Sequence, residues 1–200
     1  TGMLSITTAD VTGTRLSGIS ARNSVGTDLI IDSSAGSVSA LSNGIYASQL
    51  GSGTLSITSA NVTATSEIGI LARNFNGTDL IIDSSAGSVV GTSYGIYAGN
   101  FGTGAISITN ANVTSTNQAG IFARNFSGTD LTIDSSVGSV SGVTDGIYAR
   151  NYGSGALSIT VANVTGTRDN GIYARSDGIN MTIDSSAGSV SGGIAGIDAQ

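Results

Sequence analysis

Five residue types are missing from this chain of 200 residues: cysteine, histidine, lysine, proline and tryptophan. Without cysteine there are no disulfides, thiol nucleophiles or thiolate metal ligands. Without histidine, the Ser-His-Asp and Cys-His arrangements of nucleophilic catalysis are excluded. Without lysine, no Gly-x-x-x-x-Gly-Lys loop can cradle a phosphate. The groups left for chemistry are carboxylates, hydroxyls and arginine guanidinium groups.

Charge is sparse as well. Only 10% of the residues are charged, and the formal net charge is −6. The seven basic residues are all arginines and form no cluster in the sequence, so we expect no nucleic-acid partner. No apolar run approaches the ~18 residues of a membrane span, so we expect none in this chain. The first residues already follow the repeat described below, so we expect a segment of a longer protein or a mature product.

Glycine and small polar residues are abundant instead. The chain has 30 glycines, its polar part is mostly Ser, Thr and Asn, and its apolar part is mostly Ile, Val, Leu and Ala. This mixture favours strands and turns over helices. Disorder is the alternative for so simple a composition, but 39% hydrophobic residues in regular spacing argue against it.

A repeat of 25 or 26 residues fills the whole chain. Its clearest mark is a Gly-Ile pair, with alanine two residues after the isoleucine. The glycines of the eight pairs are Gly18, Gly44, Gly69, Gly95, Gly120, Gly146, Gly171 and Gly196. An apolar-x-Ile pair such as Leu4-Ser5-Ile6 and a single valine such as Val11 recur in step. The repeat predicts eight coils, near residues 1–25, 26–51, 52–76, 77–102, 103–127, 128–153, 154–178 and 179–200.

Odd and even coils differ in one segment. The even coils carry Asp-Ser-Ser-(Ala/Val)-Gly-Ser-Val, as at Asp32 to Val38, and the odd coils carry a shorter Thr-x-Ala-(Asn/Asp)-Val-Thr, as at Thr58 to Thr63. The repeating unit is therefore a pair of coils of about 51 residues.

Apolar and polar residues alternate within each coil, as they do along strands with one buried face. The pattern predicts three strands of three to five residues per coil, joined by Gly, Ser and Asn turns into a triangle. Such short strands are stable only when stacked coils place Ile over Ile and Val over Val. We therefore predict an all-β fold without α-helix, a right-handed parallel β-helix (β-solenoid) that forms one domain over residues 1–200. At about 4.8 Å between coils, the rod is roughly 38 Å long.

The run of Gly-Ile-Tyr-Ala units with Thr, Ser and Asn-rich strands resembles the passenger regions of bacterial autotransporters and related haemagglutinin-like surface adhesins. The resemblance covers essentially all 200 residues. It implies a pectate-lyase-like helix, a location at the bacterial cell surface or outside the cell, and an adhesive or spacer role. It supplies no binding residues, because these regions share no common site motif.

Aspartates form a column that an enzyme could use. Asp32, Asp83, Asp134 and Asp184 recur in the even coils, and Thr7, Thr58, Thr109 and Thr160 take their place in the odd coils. Neighbouring aspartates would lie ~9.6 Å apart, just beyond the ~6.5–9.5 Å of an inverting glycosidase pair and too far apart for one Ca²⁺ ion. A catalytic pair also needs two different environments, whereas these four share one. We predict that each carboxylate binds backbone amides in its own turn, with no catalytic residue, metal site or cofactor.

A column of large side chains is the main candidate for a contact surface. In Gly-Ile-x-Ala the Ile and Ala side chains face inward, so the x side chain faces outward. In six consecutive coils x is Tyr46, Leu71, Tyr97, Phe122, Tyr148 and Tyr173, and Arg73, Arg124, Arg150 and Arg175 lie beside the column. An exposed stripe about 25 Å long suits a glycan, a protein surface or a second copy. Alternatively, the stacked rings only stabilise the outside of the sheet.

Three further patterns involve aromatic residues, asparagines and charged residues. Phe75, Phe101, Phe126 and Tyr152 lie in the next turn, and the sequence leaves their direction open. Asn23, Asn74, Asn100, Asn125 and Asn151 predict a ladder of side-chain amides hydrogen-bonded along the axis. Charged residues gather in coils six and seven, where they indicate either a solvated surface of mutually neutralising charges or a local recognition patch; they are Asp145, Arg150, Arg168, Asp169, Arg175 and Asp177.

The sequence as a whole predicts a non-enzymatic structural or adhesive segment of a bacterial surface protein. We expect it to bind a host surface or another copy of itself, through a glycan or a protein. One alternative is a self-assembling filament whose uncapped coils stack end to end. A second alternative, from another class, is a polysaccharide lyase or hydrolase on the same helix.

Overall fold

The structure is a computed structural model, and it describes residues 2–200. These residues form twenty β-strands and no α-helix, and every paired strand runs parallel to its neighbour. Among them there is no helix long and apolar enough to cross a membrane. Pairing always joins one coil to the next, about 25 residues further along the chain. The chain is therefore a parallel β-solenoid of about eight coils, as the repeat predicted.

One sheet contains a single strand from each coil, and each of these strands includes the isoleucine of a Gly-Ile pair; we call it the Gly-Ile sheet. In spatial order its strands are β3 (Ile19–Asn23), β6 (Ile45–Gln49), β9 (Ile70–Asn74), β11 (Ile96–Asn100), β13 (Ile121–Asn125), β15 (Ile147–Asn151), β17 (Asn170–Ser176) and β20 (Ala195–Ala199).

The second sheet has twelve strands and contains the apolar-x-Ile and valine segments. Its main path consists of β1 (Leu4–Thr7), β4 (Leu29–Ser33), β7 (Leu55–Ser59), β10 (Leu80–Gly91), β12 (Ile106–Ser115), β14 (Leu131–Gly142), β16 (Leu157–Gly166) and β18 (Met181–Asp184). Four short strands hold the remaining valines: β2 (Val11–Gly13), β5 (Val38–Ala40), β8 (Val62–Ala64) and β19 (Val190–Gly192).

The predicted strand length of three to five residues is wrong for the four coils that contain β10, β12, β14 and β16. There the apolar-x-Ile and valine segments join into one strand of 10 or 12 residues. Pairing resumes on both sides of a bulge, with Ser84 opposite Asn110 and Ser88 opposite Asn112. The bulge absorbs the extra residues of the even coil, so the backbone stays extended where Ser and Gly suggested a turn.

Like residues stack on like residues along the axis. Ile45 pairs with both Ile19 and Ile70, and the same register continues to the last coil. The stacked aliphatic side chains form one continuous core, which is fully buried in the middle coils and half-buried in the first and last. Each fully buried aliphatic side chain contributes ~1.5–3 kcal/mol. Because much of that burial comes from the coils above and below, stability depends on stacking.

The predicted asparagine ladder is present at one corner for Asn74, Asn100 and Asn125, whereas the amides of Asn23 and Asn151 donate to backbone carbonyls instead. The Asn74 side-chain amide donates to Asn100 Oδ1 at 2.9 Å, and the Asn100 amide donates to Asn125 Oδ1 at 3.0 Å. Asn100 also donates to the Gly104 carbonyl in its own turn at 2.9 Å. These amides are buried, so the ladder satisfies polar groups that water cannot reach.

Candidate contact surface

The outer face of the Gly-Ile sheet carries alternating aromatic and arginine side chains. Along β13, Ile121 and Ala123 are buried in the core, whereas Phe122 and Arg124 lie on the outside and are half-buried. Successive side chains of a strand point to opposite faces, and β15 has the same alternation of burial as β13. The sequence prediction that the x residue of Gly-Ile-x-Ala faces outward is consistent with this placement.

The x residues form a first column of stacked rings. Tyr97 and Phe122 have centroids 4.9 Å apart with planes at 15°, Phe122 and Tyr148 are 4.8 Å apart at 8°, and Tyr148 and Tyr173 are 4.9 Å apart at 15°. Leu71 lies between Tyr46 and Tyr97 in register. Leu71 is only 7% exposed, so the expectation that it contributes to an exposed stripe is wrong: the neighbouring side chains cover it.

The direction of the residues in the following turn is now clear. Phe75, Phe101, Phe126 and Tyr152 form a second column of stacked rings, with centroid distances of 5.3, 4.3 and 5.6 Å and plane angles of 6°, 7° and 9°. Phe75 and Phe101 are 36% and 41% exposed. The second column therefore faces outward and widens the candidate surface.

Arginine side chains lie between the two ring columns and contact both. The Arg73 guanidinium carbon is 5.4 Å from the Tyr97 ring centre, and that of Arg124 is 4.5 Å from Phe122 and 5.1 Å from Tyr148. Arg150 lies over a ring of the second column, with its guanidinium carbon 4.4 Å from the Tyr152 ring centre. Arg124 also donates from Nη2 to the Tyr148 hydroxyl at 3.2 Å. Cations over aromatic rings are attracted by the ring quadrupole, which holds these arginines in place.

We call this surface the aromatic–arginine face. It consists of the first ring column, the second ring column and the arginines beside them: Tyr97, Phe122, Tyr148, Tyr173, Phe75, Phe101, Phe126, Tyr152, Arg73, Arg124, Arg150 and Arg175. It brings together most of the residues that the sequence singled out. Tyr46, in coil two, lies beyond Leu71 and has no ring neighbour in the described part of the chain.

Like charges are directly adjacent on this face. Arg124, Arg150 and Arg175 occupy the same register on three neighbouring strands, where like charges repel. The ion pairs within residues 2–200 are Arg168–Asp169 at 3.7 Å and Arg175–Asp177 at 3.5 Å. Arg73, Arg124 and Arg150 therefore have no carboxylate partner. A hydrogen bond with Tyr148 raises the pKa of Arg150 above its ordinary value, an effect that partial burial opposes.

One position of the arginine column is a glycine. Gly99 pairs with Arg73 on one side and Arg124 on the other. A Cβ atom there would lie 3.6 Å from both Tyr97 and Phe101, an ordinary contact. Tyr94, from the preceding corner, covers the first column nearby, with its ring 5.6 Å from Tyr97 and 5.2 Å from Phe122. Burial raises the pKa of Tyr94.

The aspartate column lies on the other sheet, and the prediction that each carboxylate binds a local backbone amide is confirmed, although the chain turns after Asp32 and Asp184 and stays extended after Asp83 and Asp134. Asp32 accepts hydrogen bonds from the Ser34 amide at 3.0 Å and the Ser34 hydroxyl at 2.6 Å, and the other three aspartates bind the equivalent serine amides. The serine hydroxyl and amide hold the pKa of Asp32 below its ordinary value, and those of Ser186 do the same for Asp184. Thr58 separates Asp32 from Asp83 in register, so like charges stay two coils apart.

The charged residues of coils six and seven do not form one cluster in the fold. Arg150 and Arg175 lie on the aromatic–arginine face, whereas Asp145, Arg168 and Asp169 lie at the corner before it. Asp145 is nearly buried and accepts hydrogen bonds from Asn170 Nδ2 at 3.0 Å and from its backbone amide at 3.2 Å. Burial raises the pKa of Asp145, and these hydrogen bonds offset part of that rise.

The sequence did not identify two parts of the surface. The sequence showed that aromatic residues follow the asparagine column, but it did not predict that they form a second outward-facing column. Their direction depends on the geometry of the turn. The contribution of Tyr94 could not be predicted from the repeat, because tyrosine does not recur at this corner position. The equivalent residue is Asn43 in coil two and Asp145 in coil six. Within residues 2–200, no three acidic residues come close enough to form a metal site.

Fold and repeat together define the class of the chain, a β-solenoid repeat protein of stacked parallel coils. No protein-family model matches the chain, and neither a curated protein nor a solved structure matches it.

Proposed function

We propose that this chain is a non-enzymatic adhesive segment of a bacterial surface protein, located at the cell surface or secreted, and that the aromatic–arginine face contacts its partner. The observation that carries the proposal is the arrangement of that face. Two columns of aromatic rings and a row of four arginines lie on one side of the rod, and within residues 2–200 three of these arginines, Arg73, Arg124 and Arg150, have no carboxylate partner. Aromatic residues and arginine are the types most enriched in the centres of interfaces.

The stacked rings stabilise the sheet, and the same rings can also contact a partner. Cross-strand aromatic pairs contribute ~0.2–1 kcal/mol each. Stabilisation accounts for the rings and for the contacts between arginines and rings, but not for the placement of arginines on adjacent strands, where their mutual repulsion adds a cost. Residues that oppose stability are characteristic of functional surfaces. The resemblance of the repeats to autotransporter passengers and haemagglutinin-like adhesins supports the same proposal and supplies the bacterial surface as its location.

A polysaccharide lyase or hydrolase is the less favoured function. The four aspartates of the column make the same local contact, because each binds the amide of the serine two residues further along. A general acid and a general base need environments that separate their pKa values. Cleavage of a polysaccharide that disappeared on a single Asp83→Asn change would contradict the non-enzymatic proposal.

Adhesion is tested with beads coated with the purified chain and flowed over glycan-coated and protein-coated surfaces. We expect the wild-type chain to attach to at least one surface and the double variant Arg124→Ser/Arg150→Ser to attach several-fold less. Serine is a matched replacement because Ser48 occupies the same column in coil two. Arg15→Ser, which removes an arginine outside this face, is the control and should attach like the wild type. Two results would contradict the proposal: equal attachment of the wild type and the double variant, or no attachment of the wild type to any surface. Labelling of intact source cells with an antibody tests the location.

A self-assembling filament is the second candidate. The outer edge of β20 is unpaired in the described chain, since β20 pairs with β17 alone, and Ile197 on it is 42% exposed. An unpaired parallel edge can accept the first coil of another copy. Sedimentation velocity and electron microscopy of the purified chain distinguish the two candidates: a monomer at every concentration contradicts the filament and leaves the adhesive face unaffected.

A further inference from the structure

We propose that the aromatic–arginine face binds a linear carboxylated polysaccharide that lies along the axis of the coils. This inference rests on the proposed function and names the class of its partner. It follows from three features of the face: the direction of the ring faces, the row of guanidinium groups, and the straight, even spacing of both.

The rings are poorly placed to bind neutral sugars by stacking. A sugar ring needs an open aromatic face, but within each column neighbouring ring planes lie within 15° of parallel. Their faces are therefore turned toward one another along the axis. Ring edges carry partial positive charge, and the tyrosines add hydroxyl groups. The exposed parts of the columns thus favour anions and hydrogen-bonding groups.

The guanidinium groups are the positive centres that an anion would meet. Arg124, Arg150 and Arg175 stand in register on adjacent strands, and the first two have no carboxylate partner within residues 2–200. The Nε atoms of Arg124 and Arg150 are covered and make no hydrogen bond, so the outer nitrogens of these two side chains must supply the contacts. An arginine fork matches the two oxygens of a carboxylate. A row of carboxylates would also relieve the repulsion between the arginines.

The polymer class follows from the shape of the face. Arginines stand on coils three, five, six and seven, which places them along about 19 Å of the axis in steps of about 4.8 Å or twice that. Tyr97, Tyr148, Tyr173 and Tyr152 place hydroxyl groups beside them. A polysaccharide of uronic acids offers both groups at regular intervals along an extended chain: carboxylates for the arginines and hydroxyls for the tyrosines.

Charge complementarity selects this face over the rest of the molecule. Five of the seven arginines lie on the Gly-Ile sheet, namely Arg22, Arg73, Arg124, Arg150 and Arg175. The repeating aspartates lie on the other sheet, and the whole chain carries a net charge of −6. A polyanion is repelled by the net charge of the protein, so the arginine-bearing side is where it would bind.

The test measures binding of the full 200-residue chain to immobilised polygalacturonate by biolayer interferometry at about 0.15 M salt. Methyl-esterified polygalacturonate, neutral pullulan, poly-glutamate and sulfated dextran are the comparison polymers. We expect binding to polygalacturonate that weakens as salt rises and is lost on esterification. The Arg124→Ser/Arg150→Ser variant should bind about tenfold more weakly, whereas Arg15→Ser should bind within twofold of the wild type. Circular dichroism melts confirm that each variant is folded.

A second variant adds binding instead of removing it. Gly99→Arg fills the gap in the arginine column, and space for its Cβ exists between Tyr97 and Phe101. Arg124 and Arg150 pass between equivalent ring columns in coils five and six, so the longer side chain has a precedent. We expect Gly99→Arg to bind polygalacturonate about threefold more tightly or better. No gain in a folded variant would contradict the proposal.

The comparison polymers separate the outcomes. Equal binding to poly-glutamate or sulfated dextran overturns the assignment to a carboxylated polysaccharide and indicates a general anion surface. Equal loss in Arg15→Ser overturns the assignment to this face. If pullulan binding or bead attachment depends on Arg124 and Arg150 while polygalacturonate is not bound, this inference fails and the proposed adhesive function stands. If nothing depends on these arginines, both fail.

Discussion

Polar side chains in this molecule act mainly on the backbone of their own or the next coil. Asp32 binds the amide of Ser34, and Asp28 accepts from the Thr54 amide of the following coil at 2.8 Å. Asp10 accepts from the amide of Ser37 at 2.8 Å, which lowers the pKa of Asp10. Carboxylates that bind amide donors favour the charged form. Most aspartates therefore serve the turns, and the arginines have few acidic partners.

The lowered pKa of Asp32 predicts a pH-dependent contribution to stability. A carboxyl group whose pKa is lower when folded stabilises the fold above its unfolded pKa, near 3.8, and loses that effect as the pH falls through the folded value. We expect Asp32→Ala to lower the melting temperature at pH 7 and at pH 5, and the difference from wild type to disappear below about pH 3. Asp198→Ala, which removes a half-buried aspartate from the last coil, is the control. A difference that persists unchanged in acid would show that the charge is not responsible.

Residue roles were predictable where they depend on the turn itself. The Asp-Ser-Ser motif indicated its hydrogen bonds, since an aspartate two residues before an amide binds it in almost any turn. The direction of each arginine was not predictable. The Arg124 guanidinium lies over a ring of the first column and that of Arg150 over a ring of the second, although Phe122-Ala-Arg124 and Tyr148-Ala-Arg150 have the same spacing. Small differences in packing between nearly equal contacts decide that choice.

Individual strands obtain their order from the coils on either side. The asparagine ladder shows this at the corner between β11 (Ile96–Asn100) and the following strand, where the Asn100 amide is bonded above, below and within its own turn. No single coil could satisfy these groups. The ladder therefore couples one coil to the next through buried hydrogen bonds as well as through the apolar core.

Removal of one member of the ladder should be costly. Asn100→Ala removes the donor to Asn125 Oδ1 and the acceptor of the Gly102 amide, and an unpaired buried polar group costs about 1–3 kcal/mol. We expect the free energy of unfolding to fall by roughly 3 kcal/mol in urea titrations. Asn112→Ala is the matched control, because Asn112 is exposed and bonds only Ser139 in the next coil; it should cost under about 1 kcal/mol. Equal costs for the two variants would contradict a role for burial.

Sequence patterns located the strands but not all of their ends. The Gly-Ile sheet matched its prediction because glycine, isoleucine and alanine recur without interruption. The joined strands β10 (Leu80–Gly91) and β14 (Leu131–Gly142) were missed, because their Ser and Gly residues favour turns locally. Pairing with the neighbouring coils keeps the backbone extended through these residues. That tertiary effect is absent from any single repeat.

At the scale of the whole molecule, odd and even coils must alternate. Asp83 in coil four lies between Thr58 and Thr109 of the odd coils on either side. Two even coils in contact would place aspartate over aspartate at about 4.8 Å, where like charges repel. The alternation is therefore a condition of stability, and the two-coil unit is its smallest complete period.

This condition predicts an unusual result for deletions. Deletion of residues 103–127 removes one coil and brings Asp83 beside Asp134, whereas deletion of residues 103–153 removes two coils and brings Asp83 beside Thr160. We expect the shorter protein, with two coils removed, to have the higher melting temperature of the two. Differential scanning calorimetry at pH 7 decides the order, and a lower melting temperature for the two-coil deletion would show that core size outweighs alternation.

The two-coil period also returns every column to the same side of the rod, with its register intact. Gain or loss of a 51-residue unit by recombination within such a gene would lengthen or shorten the outer surface without altering any local geometry. For a ligand that is itself a chain of identical units, each added pair of coils adds another set of equivalent contacts. The avidity of binding would then depend on the number of two-coil units. A lineage could therefore strengthen or weaken its attachment to a surface by changing only the number of these units.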